Sequence, residues 1–435
     1  MPSFFRFPHR SRRLSEPLAS LPYFAKWFLL SGLVALLSGT ASAWFLIALE
    51  HVTALREQHH GIVWLLPFAG CGVGWLYHRY GKSVERGNNL LIDEIHDPQR
   101  VVPLRMAPLV MFGTLVSHCF GASVGREGTA VQMGGALADQ LTHLFKLEHA
   151  DRRILLMSGI SAGFASVFGT PLAGTVFGLE VLAIGRMRYD ALLPCLIASL
   201  VADSVCRAWG AIHTHYAVGQ LAPLGVHTVI AVLLAGVLFG PVGMAFARAT
   251  HAAGAWIKRL VPFAPLRPLI GGALIATAVW WFDAYHYIGL GIPDIVRAFD
   301  APMRPWDFLG KFVYTVASLG SGFKGGEVTP LFYIGATLGN ALGPLLHLPV
   351  SMLAALGFVA VFAGAANTPM ACILMAVELF GAGIGPMAAL ACITAYLFSG
   401  HAGIYHAQRI EAHKYRREAT VIAASARVPE PETRA

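Results

Sequence analysis

The sequence predicts an all-α polytopic membrane protein that is built from two related halves, with many tilted and broken helices. Three observations support this prediction. Only 13% of the 435 residues are charged, whereas soluble domains contain about a quarter. The chain is 56% hydrophobic with a mean hydropathy of +0.59. Its second half also repeats motifs of its first half, in the same order.

Apolar runs locate the candidate membrane helices, because a spanning helix needs about 20 mostly apolar residues. Three runs are long enough, over residues 27–50, 154–184 and 226–246. Three others are apolar but shorter, over residues 62–77, 108–120 and 388–398. The 46 glycines and 25 prolines predict frequent helix breaks. A membrane tolerates such breaks only where protein or water satisfies the backbone groups that they free.

Basic residues concentrate at both ends of the apolar region and predict the topology. The first run follows Arg6, Arg10, Arg12 and Arg13, and the last precedes Arg409, Lys414, Arg416 and Arg417. Because cytoplasmic segments carry an excess of Lys and Arg, we expect both termini in the cytoplasm. The first run also resembles a signal peptide, but it is too long, and we interpret it as the first membrane helix. Nucleic-acid binding is not expected, since that needs a basic, aromatic-rich soluble surface.

Cysteine and histidine spacing predicts neither disulfides nor a metal site, and no cofactor is expected. The six cysteines, at positions 71, 119, 195, 206, 372 and 392, lie in or beside apolar segments without a Cys-x-x-Cys pair. We predict that they are small buried residues. The groups His59-His60 and His213-Thr214-His215 fall in predicted loops and lack the spacing of metal ligands.

The two halves match each other at an offset near 200 residues. An offset of 198 aligns Thr170-Pro171 with Thr368-Pro369 and Glu180 with Glu378, and an offset of 200 aligns Glu127 with Glu327. We therefore divide the chain into five parts. These are a basic cytoplasmic segment (1–24), transmembrane repeat 1 (25–210), a linker (211–226), transmembrane repeat 2 (227–417) and a disordered cytoplasmic tail (418–435).

Glu127 opens one predicted helix, in the stretch Gly125-Arg126-Glu127-Gly128-Thr129. Duplicated halves with interrupted helices are typical of transporters, which bind substrate where half-helix N-termini meet. Such N-termini attract anions, whereas a charged side chain at the bilayer centre costs about 2.5–3.5 kcal/mol. We predict that the deprotonated carboxylate occupies an anion site at its own helix start and that protonation releases it. The alternative is an acid that only caps its helix.

These motifs identify a family resemblance. The helix start at Glu127, the duplicated halves and the stretch Gly325-Gly326-Glu327-Val328-Thr329-Pro330 resemble the CLC family of chloride channels and anion/proton exchangers. The resemblance covers residues 27–405. It implies an inverted-topology repeat of tilted helices and a homodimer in which each subunit has its own pathway.

Three departures from the chloride pattern are similar to the fluoride-exporting branch of that family. Asn88 stands where chloride members have an anion-binding serine. Glu327 and Thr329 stand where they have an apolar and a small residue. Val181 occupies the place of the inner proton-transferring glutamate of the exchangers. The resemblance therefore implies a fluoride/proton antiporter, which is a secondary active transporter and not an enzyme, in the inner (plasma) membrane.

The expected site combines two acids with hydrogen-bond donors. Fluoride is small and tightly hydrated, so its site must replace water with close donors. The acids are Glu127, as gate and proton carrier, and Glu327, in proton or fluoride passage or as a structural cap that holds Lys324. The expected anion-binding residues are Asn88, Gly128, Thr129, Val328, Thr329 and, through the resemblance, Tyr405. Arg126 is a second candidate, because it can neutralise Glu127 or steer anions.

Two alternatives remain open from the sequence. The same fold can serve a chloride or nitrate transporter or a passive channel. A polytopic membrane enzyme that uses Ser158 or the histidines would need a paired nucleophile and base inside the membrane. Glu180 and Glu378 are interpreted as structural residues that tie helix ends or line a subunit interface.

Overall fold

The computed structural model describes residues 20–415, and they form sixteen α-helices joined by short connections. The first eight are α1 Leu21–Gln58, α2 Leu66–Tyr80, α3 Asn88–His96, α4 Met106–Phe120, α5 Glu127–Leu144, α6 His149–Phe168, α7 Pro171–Glu180 and α8 Leu192–Ala208. The second eight are α9 Val226–Leu260, α10 Leu266–Trp281, α11 Ile292–Asp300, α12 Asp307–Gly320, α13 Val328–Leu346, α14 Val350–Ala366, α15 Pro369–Phe380 and α16 Gly385–Phe398.

The predicted N-terminal segment and C-terminal tail lie largely outside the described residues. This applies to Arg6, Arg10, Arg12, Arg13, Arg416 and Arg417, and to the whole tail over 418–435.

Helices at corresponding positions in α1–α8 and α9–α16 have similar lengths. The long α1 and α9 contain 38 and 35 residues, and the short α3 and α11 contain 9 each. Helices α7 and α15 both begin with a proline, 198 residues apart. The prediction of an all-α chain with two related halves is therefore confirmed.

One predicted span is wrong, because the apolar run over 154–184 is two helices. Helix α6 ends at Phe168, Gly169 adopts φ +73°, and α7 starts at Pro171. Proline lacks the N–H that continues a helix, and glycine enters the left-handed region without a steric cost. The same break separates α14 from α15, where Asn367 has φ +57° before Thr368-Pro369.

Helices α6 and α14 form the centre of the molecule. Every residue of α14 from Met352 to Ala366 is buried, so this helix is apolar all round. Close glycine contacts pack α5 on α6 and α13 on α14: a Cβ on Gly134 would collide with the Gly159 carbonyl, and one on Gly335 with the Gly357 carbonyl. Small residues let membrane helices approach closely. This packing holds the starts of α5 and α13 in place.

The surface of the helical body is apolar, as expected for a chain in lipid. Large exposed side chains include Leu29, Trp44, Leu274, Trp281 and Phe282. Within residues 20–415, four helical stretches are long and apolar enough to cross a membrane: Leu21–Gln58, His60–Tyr80, Tyr189–Ala208 and Val226–Leu260. The described chain is therefore a multi-pass membrane protein.

The two described ends of the chain lie on the same side of the molecule. The segment after α16 pairs with the segment after α7 as two short parallel strands, β1 Ala183–Ile184 and β2 Arg409–Ile410. Near the start of α1, Tyr23 donates a hydrogen bond to the carbonyl of Asp190, shortly after β1 (3.3 Å).

Candidate functional site

The starts of α5 and α13 meet head to head in the interior. The residues just before them, Gly125 and Gly326, form an antiparallel bridge with N···O distances of 2.6 Å and 2.8 Å. The first-turn N–H groups of a helix have no partner within the helix. Two such groups of donors therefore converge on one region, and each comes from a different half of the chain.

The Glu127 carboxylate lies across both helix starts. Its side chain is 1% exposed. Oε2 accepts hydrogen bonds from the main-chain N–H of Arg126 (3.1 Å) and of Thr329 (3.1 Å). Oε1 accepts one from the Thr329 hydroxyl. The sequence suggested a site at the helix start of Glu127 itself, but most of the donors come from the opposite half.

The Arg126 guanidinium lies beside the same carboxylate without a close hydrogen bond to it. Its Nε is 3.7 Å from Glu127 Oε1, and the Arg126 side chain is 12% exposed. At that distance the guanidinium contributes charge to the site rather than a directed bond.

Asn88 comes close to the helix start through a glycine. A Cβ on Gly128 would lie 3.1 Å from Nδ2 of Asn88 and 3.2 Å from Cα of Gly326. A side chain at position 128 would therefore push the amide or the opposite loop away. The Asn88 Oδ1 atom is buried and has no hydrogen-bond partner within the described structure. Asn88 thus contributes a polar amide next to the start of α5.

Two other predicted residues sit at the helix starts without offering free side-chain donors. The Thr129 hydroxyl is paired with the Thr114 hydroxyl at 2.7 Å, so only its main-chain N–H faces the helix start. Val328 is the first residue of α13 and is buried. Its contribution can likewise come only from its main chain.

A large cavity lies next to the two helix starts, where Asn88, Gly325 and Glu327 line it. We call this cavity the basic vestibule. Its volume is about 880 Å³, and its cationic side chains are Lys82, Arg86, Lys258, Arg267 and Lys324. Two acids, Glu85 and Glu327, also line it, together with Asn88 and Tyr405. The basic vestibule therefore brings the predicted site residues Asn88, Glu327 and Tyr405 to one cavity.

Glu327 lines the vestibule, whereas Glu127 is hydrogen-bonded to Thr329. It is the residue before the first turn of α13, whereas Glu127 is the first residue of α5. The predicted contact of Glu327 with Lys324 is not an ion pair among residues 20–415. The Lys324 ammonium instead lies 4.1 Å from the centre of the Tyr77 ring.

Tyr405 is held in place by residues that the sequence did not single out. It is buried, and it lines the vestibule together with Glu327. Downstream, Gln408 donates to the carbonyls of Val181 (3.1 Å) and Ala366 (3.2 Å). The main-chain N–H of Ala407 donates to Oδ1 of Asn89 (2.9 Å).

The importance of Asn89 and Gln408 depends on these long-range contacts. The only sequence signal for Asn89 is its position directly after Asn88. Gln408 has no comparable signal, because its partners lie far away in the chain.

Glu180 and Glu378 cap each other's helices. Glu180, at the end of α7, accepts from the main-chain N–H groups of Met370 (3.1 Å) and Ala371 (2.9 Å) at the start of α15. Glu378, near the end of α15, accepts from Leu172 and Ala173 at the start of α7, both at 2.8 Å. This reciprocal arrangement ties helix ends, as the sequence suggested.

The cysteines and histidines form no metal site in the part of the chain that the structure describes. No group of three or more His, Cys, Asp or Glu side chains is arranged to hold a metal ion there. All six cysteines are free, and four of them are buried.

Comparison with known proteins identifies the family. Residues 69–400 match the family model described as voltage gated chloride channel. A "Chloride/fluoride channel protein" of Pseudomonas syringae pv. tomato is 66% identical over 411 residues, covering 93% of this chain and 91% of that protein. The "H(+)/Cl(-) exchange transporter ClcA" of Vibrio vulnificus is 29% identical over 379 residues, covering 80% and 81%.

Solved structures share the fold. The crystal structure of a CLC-type fluoride/proton antiporter is 36% identical, with a TM-score of 0.86 over 89% of this chain and 98% of that one. A slow cyanobacterial Cl⁻/H⁺ antiporter has a TM-score of 0.78 at 21% identity, over 87% and 96%. The inverted repeat, the helix order and the family model all agree: this chain belongs to the CLC family of chloride channels and anion transporters.

Proposed function

We propose that this protein is a fluoride/proton antiporter that exports fluoride from the cytoplasm in exchange for protons. The proposal rests on the position of the Glu127 carboxylate, which accepts hydrogen bonds from three donors at two helix starts. A negatively charged oxygen in that place occupies what would otherwise be an anion site. Secondary active transport follows, because one group binds protons and competes with the anion.

The donors around Glu127 suit a small anion. Fluoride needs short, strong hydrogen bonds in exchange for its hydration. The Thr329 hydroxyl, the main-chain N–H groups of Arg126 and Thr329 and the Asn88 amide are such donors. The N–H groups of Gly128, Thr129 and Val328 belong to the same helix starts and complete the proposed anion-binding set.

The proposed cycle alternates the carboxylate and the anion on the same donors. When Glu127 binds a proton, its charge and its hold on Thr329 are lost, and fluoride takes its place. When the proton leaves, the carboxylate returns and displaces fluoride. Glu327 and Tyr405 face the basic vestibule, where they guide fluoride and protons between the vestibule and Glu127.

We infer an orientation in which the basic vestibule opens to the cytoplasm. The segment 404–406, which leads to the described C-terminal end, lines the vestibule, and the basic residues at both ends of the apolar region favour the cytoplasm. A multi-pass protein of the inner (plasma) membrane with both termini cytoplasmic follows. We further propose a homodimer, which would bury the exposed side chains of Leu172 and Met370 at the starts of α7 and α15.

The relatives support fluoride as substrate. The protein from Pseudomonas syringae carries fluoride in its name, and the solved structure at 36% identity is of a fluoride/proton antiporter. Asn88, Glu327 and Thr329 are the residues by which the sequence departs from the chloride pattern.

Purified protein in proteoliposomes tests the proposal. An outward fluoride gradient should drive proton uptake, measured with fluoride and pH electrodes in the same vessel. An equal chloride gradient should drive much less proton uptake. Fluoride efflux that moves no protons would contradict antiport.

A chloride channel or exchanger of the same fold is the second candidate. It is favoured by the names of the relatives, which include chloride exchange transporters and a chloride/fluoride channel protein. If chloride leaves the same liposomes as fast as fluoride, this second candidate is correct.

A further inference from the structure

Two histidines from distant parts of the chain have their rings in contact in the basic vestibule. The rings of His251 and His406 have centroids 3.5 Å apart and an interplanar angle of 32°. His251 belongs to α9, and His406 follows α16 in the C-terminal segment. Both line the vestibule.

The pair is joined to the segment that carries Tyr405. His406 directly follows Tyr405, and Ile404 and Tyr405 line the same cavity as both rings. Glu327 lines the same cavity. The imidazoles are therefore adjacent to the vestibule end of the pathway that leads to Glu127.

Apart from Glu327, the other charged groups of the vestibule are poor proton acceptors at neutral pH. They come from four elements: the loop after α2 (Lys82, Glu85 and Arg86), α9 (Lys258), α10 (Arg267) and the loop before α13 (Lys324). Lys and Arg are normally protonated already, and an exposed carboxylate holds a proton only at acidic pH. Imidazole is the side chain that gains and loses protons near neutrality. His78 also lines the cavity, at the end of α2, away from the Tyr405 segment in sequence.

We propose that His251 and His406 form the proton-exchange pair of the basic vestibule. The inference rests on the proposed antiport. It names a proton acceptor for a chain in which the apolar Val181 occupies the place that the resemblance gives to an inner proton-transferring glutamate. In the step, the O–H bond of a protonated glutamate breaks and an N–H bond forms on a neutral ring, directly or through water. The imidazolium then releases the proton to buffer, and the neutral ring is restored.

Chemical rescue tests this role. In weakly buffered proteoliposomes, His406→Gln and the double variant with His251→Gln should slow fluoride-driven proton uptake by about tenfold. That loss is smaller than the hundredfold or more typical of an acid or base acting in a chemical step, because water still exchanges protons. Added imidazole, which fits in a cavity of this size, should restore the rate to within about twofold of the wild type.

The control is His149→Gln, since His149 is an exposed histidine at the start of α6 that does not line the vestibule. It should show neither the loss nor the rescue. A double variant that keeps the wild-type rate in weak buffer, or a loss that imidazole does not restore, overturns the pair's role. If the wild-type protein itself moves no protons with fluoride, the proposed function fails and not this inference alone.

Discussion

Two helix pairs, each with one helix from either half, are joined by carboxylates inside this molecule, and they differ in symmetry. In the pair α7 and α15, Glu180 and Glu378 lie at the ends of their own helices, and each accepts two main-chain hydrogen bonds from the start of the other helix. At the starts of α5 and α13, only Glu127 reaches across, to Thr329, while Glu327 turns to the vestibule. The first pair retains the symmetry of the repeat, and the second has lost it.

The asymmetry has a simple geometric origin. Glu127 is the first residue of α5, but the first residue of α13 is Val328, which makes the offset between these helix starts 201 residues. The bridge between Gly125 and Gly326 has the same offset. Glu327 therefore corresponds to Arg126 in the structure, although the sequence aligns it with Glu127. A shift of one residue turns a side chain by about 100° around a helix, which separates the two acids onto different faces.

The largest effect is expected for Glu127→Gln. The amide cannot carry a proton or the negative charge that competes with fluoride, so fluoride-driven proton uptake should fall by about 100-fold or more. Simultaneous pH and fluoride electrodes on proteoliposomes measure both fluxes. Glu57→Gln is the control, because its side chain is 54% exposed at the end of α1. Coupling that survives in Glu127→Gln would remove Glu127 from the proton pathway.

Glu327→Gln should have the next largest effect. If Glu327 passes protons between the vestibule and Glu127, coupled proton uptake drops by about tenfold, while the amide preserves the shape of the helix start. The same electrode assay gives the proton-to-fluoride ratio. An unchanged ratio would leave Glu327 with a structural role only, and the asymmetry would lose its functional meaning.

Thr329 should distinguish side-chain donors from main-chain donors. Thr329→Val keeps the main-chain N–H but removes the hydroxyl that bonds to Glu127, whereas Thr329→Ser keeps both. A hydrogen bond to a charged group contributes about 1.5–3 kcal/mol, so the valine variant should need at least about tenfold more fluoride for half-maximal flux.

Thr337→Val is the matched control for that comparison, since the Thr337 hydroxyl bonds only within α13. Fluoride-concentration curves for the three variants decide the point. Equal curves for the valine and serine variants at position 329 would show that the hydroxyl is dispensable.

The smallest effect is expected at the symmetric pair. A negative charge at a helix N-terminus stabilises the fold by about 0.3–2 kcal/mol. Glu180→Gln and Glu378→Gln each remove one such charge. Both variants should lower the unfolding temperature in detergent by a few degrees and leave the proton-to-fluoride ratio unchanged. A changed ratio in either variant would make this pair part of the transport pathway.

The sequence was sufficient for the class of protein and for the residues of the helix starts. Low charge and long apolar runs report the lipid environment directly, and the repeated Thr-Pro motifs mark where helices begin. Glu127 was recognisable because a glycine-rich helix start is a local sequence signal, whereas Asn88 and Thr329 were singled out through the family resemblance. The span over 154–184 was wrong because apolar composition alone does not reveal a single left-handed residue before a proline.

Only the tertiary structure decided which atoms meet. Composition and motifs are properties of short stretches, so they show a membrane protein and predict two anion-attracting helix starts. Three features join residues that are distant in the chain. They are the hydrogen bonds from Thr329 to Glu127, the contacts that Gln408 makes downstream of Tyr405, and the vestibule that both Lys82 and Lys258 line. Such contacts depend on how helices pack and rotate. The one-residue shift between Glu127 and Glu327 became visible only when both helix starts were seen side by side.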